Sequence, residues 1–208
     1  MRPLANAGQV MASTLARFAS SHPELCDKSG TGFMPIPIMF PLLLTHLLDL
    51  LQLTISVLYS TNDLHVDKLV RIRMLFMQLM SEGDLGEDHT GLFLREHPEA
   101  LKRLNMDMER GPFAAFCRRV RQTQDFAELC GIICRNEIGS EAEARALLEH
   151  AIISDGKYAQ THLVEEVEHA NAAAEISEIF LHSPYRHRFQ NGLLLHDRLY
   201  REVLETQP

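Results

Sequence analysis

Apolar residues in this chain return every three to four positions, and nowhere do they alternate over several residues as a half-buried strand requires. Between 63 and 80, Leu64, Leu69, Ile72, Leu75, Phe76 and Leu79 keep helical spacing, and Leu193, Leu194, Leu199 and Val203 keep it between 192 and 204. With no internal repeat to suggest a solenoid, this pattern predicts an all-α fold, a multi-helix bundle of about six to eight helices. The 208 residues are enough for one domain with a sizeable core, or for two small ones.

Turn residues divide the chain. A short helix within 1–20 uses Val10, Leu15 and Phe18, and residues 21–37 read as a loop because Pro23, Gly30, Gly32, Pro35 and Pro37 interrupt them. Residues 81–91 carry three glycines and four acids and read as an acidic, glycine-rich linker. It separates an N-terminal helical lobe, 1–80, from a C-terminal helical bundle, 92–208. The acids of the linker lack the spacing of an EF-hand calcium loop. Helices are expected over 98–108 and 112–135, with Pro98 and Pro112 in their first turns and a break near 122–125. Ser140-Glu-Ala-Glu143 matches a capping box and starts a helix that Asp155-Gly156 ends near 154. A long helix over 157–182 follows, closed by Pro184. The two form a C-terminal antiparallel helical hairpin.

Charge and cysteine content exclude some roles. The net charge of −8 argues against nucleic-acid binding, which needs surplus Lys and Arg. Arg outnumbers Lys sixteen to four, a usage expected of a GC-rich, bacterial genome. Cys26, Cys117, Cys130 and Cys134 form no CxxC pair and no zinc spacing, so they are expected to be reduced, buried core residues of a cytoplasmic protein. The N-terminus shows no secretory signal. Residues 38–59 approach the length of a bilayer span. Thr45, Asp49, Gln52 and Ser56 nevertheless line one stripe of that helix, and no Lys or Arg cluster flanks it. A helix with a broad buried face is expected instead, with a membrane role only if partner helices cover the stripe.

Two groups of residues could carry a function. His162, Glu166 and His169 stand at i, i+4 and i+7 and share one face of the long helix. His150 lies six residues before Gly156 and His162 six after it, so a hairpin would set them at similar heights. His150, His162, Glu166 and His169 could then hold zinc or iron. Glu166-x-x-His169 is the spacing of ferritin-like di-iron bundles, but the second such motif they need is missing, as is HExxH. The alternative is a solvated acidic face.

The second group is a partner surface. Met74, Met77 and Met80 recur beside Phe76, and methionine suits adaptable binding faces as well as cores. Arg118 and Arg119, with Arg121, Arg186 and Arg188, form a cationic spot able to grip an acidic segment or a phosphate, or to pair within the chain. GxSxG, Walker A and GxGxxG motifs are all absent. The expected function is therefore a non-enzymatic protein–protein interaction module (an adaptor, chaperone or regulatory subunit) that binds another protein or a second copy of itself. The alternative is a metal-binding helical enzyme or sensor.

Overall fold

A computed structural model describes residues 6–21, 66–80, 125–150 and 155–205, with positions 23, 92, 95–96, 118–119 and 122–123. Among them are five helices and no strand: α1 (Ala7–Ser21), α2 (Val66–Met80), α3 (Phe126–Glu149), α4 (Lys157–Leu181) and α5 (Arg186–Glu205). The fold is all-α. Residues 38–59, the 81–91 linker and the helix expected at 98–108 lie outside the described residues. No described helix is long and apolar enough to cross a membrane.

Each helix forms where its apolar stripe meets a neighbour. On α1, Ala7, Met11, Leu15 and Phe18 are buried along one face, while Val10 is only half-buried. On α2, Leu69, Ile72, Leu75 and Phe76 are buried. Asp67 sits in its first turn, where a negative charge suits the helix dipole. One apolar core takes in Met11 and Phe18 of α1, Ile72 and Phe76 of α2, and residues of α3, α4 and α5. Helices from before and after 81–91 thus share that core.

α3 begins at the break expected near 122–125. The Asp125 side chain caps it, accepting from the amides of Ala127 and Glu128 at 3.1 Å each. Its other carboxylate oxygen accepts from Arg188 of α5 at 2.7 Å, so one aspartate fixes both a helix start and a helix contact. The helix then runs unbroken to Glu149, through the residues expected to form a capping box. Ser140 lies in mid-helix, where its hydroxyl donates to the carbonyl of Glu137 at 2.7 Å. The local Ser-x-x-Glu pattern is overridden because α3 keeps a continuous buried face on both sides of it. Gly156 likewise differs from expectation. It has φ −106° and stands as the N-cap of α4 without a side-chain bond. The Glu96 carboxylate supplies an acceptor there, 3.2 Å from the amide of Tyr158.

Side-chain pairs give the helix directions. Ser140 bonds Glu166, and further toward the start of α3 the Cys134 thiol meets Ser177, so α4 runs antiparallel to α3. Arg135 pairs with Asp197 and Glu143 with Tyr200, so α5 runs broadly parallel to α3. Met11 lies over Gly139 and Gly8 against Ala142, which sets α1 antiparallel to α3. A stacked Phe180–Phe189 pair, with ring centroids 5.2 Å apart, closes the turn between α4 and α5.

α3 and α5 cross at Gly131 and Gly192. A Cβ on Gly131 would strike the Phe189 carbonyl oxygen and come 3.0 Å from Gly192 Cα. Replacing glycine by alanine inside an unhindered helix gains about 1 kcal/mol, but here the backbones must part. Gly131→Ala is therefore expected to cost about 1–3 kcal/mol. Urea unfolding of that variant should show a lowered midpoint; an unchanged or raised midpoint would mean the two backbones are not in contact.

Candidate metal centre

α3 is enclosed by α1, α4 and α5, and its middle is polar. Arg135, Asn136, Glu137, Ser140 and Glu143 are all buried. A buried polar group without a partner costs several kcal/mol, on the order of 2–7, so each requires chemistry from the facing helices.

α5 answers the first part of this layer. Arg135 donates through Nε and Nη2 to the two carboxylate oxygens of Asp197, at 2.7 and 2.8 Å, a bidentate pair shielded from water. Burial pushes the Asp197 carboxyl up, but hydrogen bonds from His196 and Arg135 outweigh it and hold the group below its ordinary range. His196 is fully buried, which lowers its affinity for a proton and favours the neutral ring. Its Nε2 lies 3.3 Å from Oδ1 of Asn136, and the ring stacks on Tyr200. The Tyr200 hydroxyl donates to Glu143 at 2.6 Å.

α4 answers the second part. Glu166 and His169, one turn apart, both turn inward and meet Glu137 of α3. The side chains of Glu137, Glu166 and His169 are 4%, 3% and 7% exposed, so all three are shielded from solvent. His169 Nδ1 stands 3.8 Å from a carboxylate oxygen of Glu137 and 3.8 Å from one of Glu166. All three ligand-type atoms fall within 4.8 Å of one another. Ser140 bonds the second oxygen of Glu166, which fixes the carboxylate plane.

Two of the four expected metal ligands, Glu166 and His169, are thus in this group, and a third, His150, is not. His150 forms the C-cap of α3, its amide bonded to the Ala146 carbonyl. Thirteen residues of helix place it about 20 Å from Glu137 at 1.5 Å per residue, too far to share an ion. His162 lies on α4, but its side chain is outside the described residues. Glu137 of α3 joins Glu166 and His169 instead of His150. It falls on the core stripe of α3 that runs Ile133, Glu137, Ser140, Ala144, Leu147, and a charged residue inside that stripe is the sequence signal for it.

The partner-face residues divide in a similar way. Met74 and Met77 are 56% and 57% exposed, whereas Phe76 is fully buried and belongs to the core. The side chain of Met80 lies outside the described residues. Arg118, Arg119 and Arg186 are exposed, while Arg188 pairs with Asp125 inside the chain. Cys130 and Cys134 are buried free thiols, and burial raises both well above the usual range, so neither is poised to react. Cys26 and Cys117 lie outside the described residues.

Glu143 adds a titration to the layer. Desolvation raises its carboxyl to about 7, partly offset by the Tyr200 hydrogen bond and reinforced by the charge of Glu166. In the unfolded chain the group ionises near 4.5. The folded protein therefore holds this proton across an interval where the unfolded chain releases it. Stability is greatest below pH 4.5 on this account and falls as pH rises toward 7, by roughly 3 kcal/mol in all. Urea midpoints of chelator-treated protein should decline over that window, and Glu143→Gln should flatten the decline; an equally steep profile in the variant would contradict it. Comparison with protein-family models, curated proteins and solved structures finds no match, so the geometry alone carries the functional reading.

Proposed function

We propose that this protein binds one divalent transition-metal ion between α3 and α4, through Glu137, Glu166 and His169, and works as a metal-dependent enzyme or sensor. One observation carries the reading: the 3.8 Å spacing of His169 Nδ1 from each carboxylate. That is longer than a hydrogen bond, which spans about 2.7–3.2 Å. It is close to the separation of neighbouring ligands around an ion, roughly 3.4 Å for tetrahedral bonds of about 2.1 Å. Two carboxylates with one imidazole suit zinc, iron or manganese better than a thiolate-seeking ion. With three protein ligands among the described residues, the site resembles catalytic centres, which keep a coordination position open. The Ser140 bond to Glu166 is the kind of outer contact that orients a ligating carboxylate.

A second reading, the protein–protein interaction module, is favoured by a separate observation: Val70, Met74 and Met77 form an exposed apolar stripe on α2. The two readings are compatible, since the stripe lies on the outside of α2 and the metal ligands inside the bundle. A cytoplasmic location is compatible with both readings.

Elemental analysis of protein purified without chelator tests the metal reading. About one equivalent of zinc, iron or manganese is expected, falling well below 0.2 equivalents in Glu137→Gln and in His169→Ala with helicity retained. Metal-free wild-type protein that also fails to take up added ion would show that His169 serves only as a buried partner of the two carboxylates.

A further inference from the structure

We infer that the ion works as a clasp: it seats as the 160–169 stretch of α4 closes on α3, so that metal occupancy is read out as the ordering of that stretch. The inference rests on the metal reading of Glu137, Glu166 and His169, and gives it the form of a sensor.

α4 is packed unevenly along its length. In its second half, Ala172, Ala173, Ile176, Ser177 and Phe180 are buried. Phe180 stacks on Phe189 of α5, Ser177 meets the Cys134 thiol of α3, and Arg71 of α2 donates to both carboxylate oxygens of Glu175. The turn beyond is tied as well. The Ser183 hydroxyl donates to the Phe180 carbonyl at 2.8 Å and accepts from the Tyr185 amide at 3.1 Å. At the other end, Tyr158 and Ala159 are buried, and the Glu96 carboxylate accepts from the Tyr158 amide. Between these anchors the helix lies open. None of the described side chains from 160 to 165 is buried, and Val164 is 74% exposed. The buried groups that 160–169 brings to α3 are Glu166 and His169, both of them proposed ligands.

Local opening costs least where apolar burial is least. The remaining ligand, Glu137, belongs to α3, so an ion held by all three joins the two helices. Lifting the stretch separates the ligands, and closing it brings their atoms within 4.8 Å of one another. The closed form therefore binds the ion more tightly, and by linkage the ion favours the closed form. Entry follows the same logic. The ligand side chains are 4%, 3% and 7% exposed, so a hydrated ion reaches them when the stretch lifts. A substrate-sized molecule meets the same barrier, which makes the work of the ion conformational rather than catalytic.

Hydrogen exchange on the full chain tests this, with cobalt(II) as the probe ion and visible absorption measuring its occupancy in the same samples. At free cobalt about a hundred times its Kd, amides in 160–169 should exchange about a hundredfold more slowly than in chelator-treated protein. Amides in 172–181 should keep their rates. His169→Ala and Glu137→Gln, on opposite helices, should each lose the difference while keeping wild-type helicity. Cobalt that binds at one equivalent and leaves the 160–169 rates unchanged overturns the clasp and spares the metal reading, because the site would then be rigid without its ion. Slowing spread evenly over all five helices also overturns it, since the ion would then stabilise the bundle as a whole. Cobalt that does not bind removes both readings.

Discussion

Everything in this fold answers to the enclosure of α3. A helix segment covered almost all round is ordinarily apolar, yet α3 carries buried Arg135, Asn136, Glu137, Ser140 and Glu143 through its middle. Each of these groups lost water on folding and needs a substitute. The substitutes come from two directions. α5 brings Asp197, His196 and Tyr200, and α4 brings Glu166 and His169. The register of three helices is thereby set by polar pairs, while the phenylalanines and leucines around them supply the bulk of the burial. Apolar packing alone tolerates sliding, whereas a bidentate Arg135–Asp197 contact holds in one register only.

The two faces of α3 are satisfied by different chemistry. Toward α5, a guanidinium meets a carboxylate and a neutral imidazole meets an amide. Toward α4, two carboxylates face one imidazole across gaps wider than a hydrogen bond. The α5 side is well explained as structure. The α4 side brings three convergent ligand-type atoms together, and the proposed ion would sit among them. That contrast within one helix supports the metal proposal at Glu137, Glu166 and His169 rather than at Arg135 and Asp197.

Much of the fold was legible in the sequence. The 3.6-residue period gives the all-α class, and α1 and α2 fall where that period places them, while α5 starts at Arg186, six residues before the expected 192. Asp125 as a helix start was visible as a break in the pattern. What misled was local chemistry. Ser140-x-x-Glu143 has the form of a capping box, and a serine and glutamate on a buried face look the same in sequence as a serine and glutamate at a helix end. Reading a new helix there left Glu137 in a supposed connection and hid its alignment with Ile133 and Leu147. That Glu166 and His169 share one face is legible because their spacing lies within one helix. The approach of Glu137 to them depends on the register between two helices, which composition and periodicity do not encode.

The most direct test of the central claim is a cobalt(II) titration of chelator-treated protein, followed by visible absorption. Ligation by one imidazole and two carboxylates should produce visible d–d bands that saturate at one equivalent and are lost in His169→Ala. A spectrum no different from cobalt in buffer, at every ratio, would contradict the account and leave the buried cluster as a purely structural part of the α3–α4 contact.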